Sequence, residues 1–180
     1  MRPTTVLVEG ESDRVAVEAL ARRGRHDLAT EQVTVVAMGG ATSIGRLLSR
    51  HGPTGADDRV LTLCDQAEAA YVARALDRAG LGSAVSLHVC EADLEDELVR
   101  CLGTESVLDV IDAEGELASF GLLQRQPAQR DRALTDQLRR FFAGRSGHKI
   151  TYARLLVEAL PPGVAPPPLA ALVAAMAEHP

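Results

Sequence analysis

Acidic side chains in this chain gather just behind short apolar runs. The run TTVLV over 4–8 leads straight into Glu9-Gly10, with Glu11 and Asp13 close behind. RVLTLC over 59–64 is closed by Asp65, with Glu68 three residues on. AVSLHVC over 84–90 is closed by Glu91, followed by Asp93 and Glu95. Carboxylates packed together without cations repel one another, and some take up protons. Oxygen ligation of a divalent metal relieves that repulsion, and an all-carboxylate set suits Mg2+ or Mn2+. Plainer duties compete for some of these acids. Ser12 and Asp13 are natural helix caps, and Asp96 and Glu97 read as an ordinary acidic first turn favoured by the helix dipole. Glu9 and Asp65 have no capping duty as obvious, so they are the strongest candidates. Far along the chain stands Lys149, the only lysine among 19 basic residues.

The same residues exclude several chemistries. Gly39-Gly40-Ala41-Thr42-Ser43 lacks the lysine of a phosphate-binding P-loop, and no GxGxxG follows the first apolar run. ATP hydrolysis and dinucleotide binding are therefore not expected. Cys64, Cys90 and Cys101 lack the spacing of a zinc site and read as buried thiols of a cytoplasmic protein. No GxSxG elbow is present. Aromatic residues make up 3%, too few for recognition of single strands by base stacking.

The elements that must carry the acids follow from the apolar pattern. Strands are predicted over 4–8, 33–38, 59–64 and 84–90. Helices lie between them: one capped by Ser12 or Asp13 and running to Arg23, one opened by Thr42 and Ser43, and one over 67–78. HGPTGADD and AGLGS read as loops. Strands alternating with helices in units of this size indicate βαβ crossovers and a mainly parallel sheet. Continuous apolar runs suit strands covered on both faces. Ligands of such sheets bind beyond the carboxyl ends of the strands, where Glu9, Asp65 and Glu91 fall. The second strand ends instead on Gly39-Gly40, which permits close approach of a ligand or another chain.

From Asp93 the texture changes. DLEDELVRCLG, ESVLDVIDAEG, ELASFGLLQRQ, AQRDRALTDQLRRFFAG and ITYARLLVEAL all read as helices. PPGVAPPP is a stop before a short apolar terminal helix, which packs on its own domain or forms a contact between copies. The predicted division is an α/β metal-binding domain over 1–100 and a helical appendage over 101–180 that contributes a basic stripe and Lys149.

The chain has 180 residues, 46% of them hydrophobic and 24% charged, which suits one soluble globular domain with or without an appendage. There is no run of 18 apolar residues, so no membrane span is expected, and the first residues lack the apolar stretch of a secretory signal. The net charge of −6 hides an asymmetry. Residues 1–124 carry 11 arginines against 21 acids, whereas 125–149 carry six arginines and one lysine against two aspartates. An acidic front can hold cations while a basic stripe meets phosphates, the alternative being a solvated basic helix face.

Taken in order, these residues resemble the Toprim domain shared by topoisomerases, bacterial primases and several nucleases. That family opens with a strand ending in the glutamate of an EG pair, matched here by VLVEGESD with Glu9-Gly10. The closest resemblance is to the OLD (overcoming lysogenization defect) nucleases, whose motif adds an acid four residues on, here Asp13. The Asp-x-Asp pair that closes the family's third strand is matched by LTLCDQAEAA. Asp65 stands for the first aspartate, Ala67 replaces the second, and Glu68 follows one position later. A segment resembling T-L-E after the fourth strand is matched by ADLEDEL, with Asp93 and Glu95. A late lysine is matched by Lys149 in GHKITYARLL. The likeness covers residues 4–100 well and the helical tail loosely.

The resemblance implies a four-stranded, mainly parallel Toprim-like sheet flanked by helices and followed by a helical C-terminal region. It implies a metal-dependent endonuclease that hydrolyses DNA with Mg2+ or Mn2+. Two ions are expected, with Ala67 marking the second as the weaker site. Glu9 is then a metal ligand and general base, and Asp65, Glu68, Asp13, Asp93 and Glu95 complete the metal shells. Lys149 neutralises charge on the scissile phosphate, and the arginines of 125–145 hold the nucleic-acid backbone. OLD proteins often carry an ATPase domain, which here would be a separate partner; a homo-oligomer is compatible with the sequence. Two other readings share these motifs: a Toprim ribonuclease acting on structured RNA, and a catalytically weak binding or regulatory module in which Ala67 marks a lost metal site. Phosphoryl transfer to a small molecule is a further reading.

Overall fold

A computed structural model describes residues 3–51, 59–81 and 85–178. Four short β-branched runs form strands: β1 (Thr4–Val8), β2 (Val33–Ala37), β3 (Arg59–Asp65) and β4 (Val85–Cys90). Between them lie α1 (Glu11–Arg23), α2 (Ile44–His51) and α3 (Gln66–Arg78). All strand pairs are parallel and the order is β2-β1-β3-β4. The chain leaves β1 towards β2 on one side, then returns to place β3 on the other. The boundary between β1 and β3 is thus the point where the winding reverses, where open α/β sheets form their ligand crevice.

The predicted strands match the observed ones to within a residue or two. Most of the predicted HGPTGADD loop, and part of AGLGS, lie outside the described residues. Two local expectations change. Helix α1 begins two to three residues earlier than a Ser12 or Asp13 cap implies, with Gly10 as its N-cap. Strands covered on both faces describe only the centre: Val6, Leu7, Val8, Leu61 and Leu63 are fully buried, whereas Thr34 on β2 and Ser86 on β4 are exposed. The physical reason is position, since β2 and β4 are the sheet's edges.

Beyond β4 the chain is helical throughout the described residues: α4 (Leu94–Leu102), α5 (Thr104–Ala113), α6 (Leu117–Gln124), α7 (Leu134–Phe142), α8 (His148–Ala159) and α9 (Pro167–Ala177). The long helix expected over AQRDRALTDQLRRFFAG is shorter than its pattern suggests. Only Leu134–Phe142 is helical. The segment before it is held as a turn by Gln137, whose amide donates to the carbonyls of Gln129 (2.8 Å) and Arg132 (3.3 Å).

Alternation along the central strands separates two cores. Val6, Val8, Leu61 and Leu63 point to one face, where they share a single apolar cluster with residues of α1 and of α4 to α9, among them Phe142, Tyr152, Leu156 and Leu172. Leu7, Val60 and Cys64 point to the other, against α2 and α3. The late helices therefore form one wall of the sheet's own core. Helix α9 packs on β3 and β4, which settles the terminal helix as self-packed, with Leu169, Leu172 and Met176 buried. No helix among the described residues is long and apolar enough to cross a membrane.

Candidate functional site

Glu9 is the first residue past β1 and Asp65 the last of β3. Parallel register pairs Val8 with Leu63, so the two acids emerge side by side at the carboxyl edge of the two buried central strands. The turn Gly39-Gly40 closes over Glu9 from the other side, with Gly40 N–H donating to the Glu9 carbonyl at 3.0 Å. Both glycines have positive φ, 69° and 108°. Nothing else in the chain lies within 4 Å of where a Cβ would stand at either, so within the chain it is the turn's positive φ that calls for glycine.

The Glu9 and Asp65 carboxyls lie close enough for a hydrogen bond, and since a carboxylate only accepts, it forms when Asp65 carries a proton and donates to Glu9. Burial is the main reason that proton stays: with the charges of Glu9, Asp13 and Asp93 it pushes Asp65 up to about 8. Burial also raises Glu9, where the bond from Asp65 works against it and the charges of Asp13 and Glu68 add to it.

A second pair stands opposite. Glu95, the second residue of α4, is 2% exposed, and its Oε2 lies 3.1 Å from the Nζ of Lys149, the second residue of α8. By distance this is an ion pair, yet neither Glu95 oxygen has a hydrogen bond of good geometry. Burial raises the Glu95 carboxyl, and Lys149 opposes that rise. Burial disfavours the Lys149 charge, but Glu95, Asp13 and Asp93 outweigh it and hold the ammonium above its ordinary value. Asp13 sits in the first turn of α1, where its Oδ2 accepts from Gly10 N–H at 2.7 Å. Burial raises it, and the Gly10 bond and Lys149 oppose. Glu9, Asp13, Asp65, Glu68, Asp93, Glu95 and Lys149 thus form one electrostatic cluster.

The other acids near this edge have partners of their own. Asp93 caps α4, its Oδ1 accepting from Asp96 N–H at 2.8 Å, while its Oδ2 is paired with Arg139 of α7, Nε at 3.1 Å. Glu97 accepts from Glu91 N–H at 2.8 Å, and Arg100 pairs with Glu91, Asp96 and Glu97. Ala67 is exposed in the first turn of α3 and puts no carboxylate beside Asp65. Burial pushes the Cys64 thiol up to about 12 and raises Cys90 also, so neither offers a thiolate.

The donor set is all oxygen, which is the chemistry of a hard divalent cation. A cation would also take over from the proton that Glu9 and Asp65 share. Among the described residues, however, no group of three or more His, Cys, Asp or Glu side chains stands ready to hold a metal ion. Each acid is drawn aside by a nearer partner: Asp65 for Glu9, the Gly10 N–H for Asp13, Arg139 for Asp93 and Lys149 for Glu95.

Of the stripe arginines, Arg139 is engaged with Asp93, and Arg145 contacts Glu116 (3.2 Å) and Ser119 Oγ (2.8 Å). Arg125, Arg130, Arg132 and Arg140 are exposed. Sequence reasoning did not single out Arg139, nor the group Glu116, His148 and Tyr152 at the start of α8. The spacing of four between His148 and Tyr152 was a readable sign that they share a helix face. Nothing in the sequence pointed to Glu116.

Residues 3–51 match the family model described as overcoming lysogenization defect protein-like, Toprim domain. Among solved structures, the C-terminal region of the Burkholderia pseudomallei OLD protein superposes with a TM-score of 0.70 at 17% identity, covering 98% of this chain and 97% of that one. The C-terminal region of the Xanthomonas campestris pv. campestris OLD protein gives 0.65 at 22% identity, covering 98% and 95%. No curated protein matches the chain. The chain therefore carries an OLD-like Toprim segment at its start and has, over nearly its whole length, the fold of OLD C-terminal regions.

Proposed function

We propose that the chain is a metal-dependent endonuclease that hydrolyses DNA phosphodiester bonds. The OLD-like Toprim segment implies nuclease-type chemistry. The observation that carries the finer reading is the apposition, at the winding reversal of the sheet, of a proton-sharing acid pair (Glu9 with Asp65) and a buried acid paired with the only lysine (Glu95 with Lys149).

Glu9, Asp65, Asp13, Glu68 and Glu95 would hold Mg2+ or Mn2+, one ion or two. When bound, such a cation supplies Lewis-acid stabilisation of the phosphate and makes water a better nucleophile near neutral pH. Glu9 has to give up its share of the proton before it can ligate or act as a base. Asp65 holds that proton until about pH 8 in the absence of a cation. Lys149, steadied by Glu95, presents its ammonium to the negative charge that builds on the scissile phosphate. Asp93 serves as the anchor of Arg139 and the cap of α4. The exposed Arg125, Arg130, Arg132 and Arg140 hold the backbone by phosphate contacts, which position a substrate without reading its sequence.

The test is nicking of supercoiled plasmid with Mg2+ or Mn2+, beside EDTA, Glu9→Ala and Lys149→Ala. Metal-dependent nicking lost in both variants supports the reading. Cleavage of structured RNA in preference to plasmid would make it a ribonuclease. Absence of cleavage, together with no Mn2+ binding by calorimetry, would make it a binding module.

A further inference from the structure

Helix α8 breaks a local rule. A helix N-terminus favours negative charge, yet α8 has no acid in its first turn and begins His148-Lys149. The acid comes from elsewhere. Glu116, on the link between α5 and α6, brings its carboxylate to this end: Oε2 lies 2.7 Å from His148 Nε2 and accepts from Tyr152 OH at 2.9 Å, and Oε1 lies 3.2 Å from Arg145 Nη1.

The other His148 nitrogen, Nδ1, lies 3.2 Å from the carbonyl oxygen of Phe141 on α7. A carbonyl and an ionised carboxylate only accept. A ring nitrogen donates only where it carries the proton, and Glu116 is the stronger of the two acceptors. Glu116 is suited to that role, since the bonds from Tyr152 and His148 and the charge of Arg145 outweigh the effect of burial and hold its carboxyl below its ordinary value. The ring also stands edge-on to Phe141 and Tyr152, at 5.1 and 4.9 Å between centroids.

We propose that Glu116, acting through His148, is a positioning residue for Lys149. The two bonds of His148 tie the first residue of α8 to α7 on one side and to the α5–α6 link on the other. Lys149 is the next residue, and its ammonium reaches back to Glu95. Gly147 enters α8 with φ 78°, a left-handed turn, and Arg145 just before it joins the same group through Glu116 and Ser119. Loss of either contact slackens the hold on Lys149. The charged and titratable groups facing His148 are Glu116, Arg145 and Tyr152, with α7 contributing the Phe141 carbonyl and ring. The inference rests on the reading of Lys149 as the phosphate-neutralising group.

The chain has a single lysine, so the Lys149 side chain gives one Cε signal by NMR. Recorded without DNA or metal, that signal should shift from its wild-type position in Glu116→Gln and in His148→Gln. A Lys149 signal that is unchanged in both folded variants would overturn the proposal. If neither folds, Glu116→Asp, which keeps the charge but shortens its reach to His148, should still move the signal, and an unchanged signal there would overturn the proposal. In plasmid nicking, Glu116→Gln should reduce kcat on the order of 10- to 100-fold with KM little changed. Unchanged nicking would overturn the positioning role. No nicking by the wild type would overturn the proposed function, with the Lys149 signal still deciding the inference.

Discussion

The acid pair at the sheet edge and the lysine at the start of α8 are held in place by opposite means. Glu9 and Asp65 are placed by backbone: two adjacent buried strands in register deliver them side by side, and their repulsion is met by a shared proton. Lys149 is placed by side chains, through the Glu116–His148–Phe141 bonds behind it and Glu95 in front. The difference teaches where each half is vulnerable. The acid pair is rigid in position and variable in protonation, whereas the lysine is steady in charge and depends on neighbours for its position.

Removing the working groups should break both halves most severely. Glu9→Ala and Lys149→Ala are each expected to lower the nicking kcat by about 10² to 10³, the loss typical of one transition-state charge partner. A fall from only one of them would show that the two halves do not act together. Next in size is the shared wall. Leu172→Ala empties a fully buried site beneath the sheet and should cost about 2–5 kcal/mol in urea unfolding. A cost near zero would mean that the late helices do not brace the acid edge.

The protonation of the acid pair gives a pH signature. Asp65 is raised in the folded protein, to about 8 from an ordinary value near 4. Below pH 4 the folded and unfolded chains both hold the proton, and the contribution is complete; it is lost as pH rises through about 8. The metal-free protein should therefore lose stability from pH 4 to pH 8, and Asp65→Asn should flatten the slope. Mn2+ should raise the melting temperature more at pH 8 than at pH 6. An equal rise at both would separate metal binding from this pair.

The side-chain half allows finer distinctions. Tyr152→Phe removes one donor to Glu116 while keeping the ring, and should cost about 1 kcal/mol. Smallest of all, Arg140→Ala should weaken DNA binding evenly across sequences and reduce the salt slope by about one. A sequence-dependent loss would instead give Arg140 a part in base recognition.

Much of the acid half was legible in the sequence. A strand's apolar run has a definite end, so Glu9 and Asp65 could be assigned to the carboxyl edge from residue order alone. The helical half was legible as helices, but its contacts were not. Arg139 and Asp93 are 46 residues apart and Glu116 and His148 are 32 apart, and no periodicity couples positions at such distances. The stripe around 128–144 also misled, because the Gln137 side chain satisfies the backbone of a turn that its composition does not mark.

By itself the sequence determined the strands, their parallel winding and the edge on which the acids lie, because apolar runs and their breaks are local and repeat with the period of the backbone. Only the tertiary structure decided which partner each acid meets. It gave Asp93 to Arg139, Asp13 to the Gly10 N–H and Glu95 to Lys149, and it left Glu9 and Asp65 sharing one proton. Charge, burial and hydrogen bonding act through space, so the fate of a carboxylate depends on neighbours that the chain brings in from far along its length.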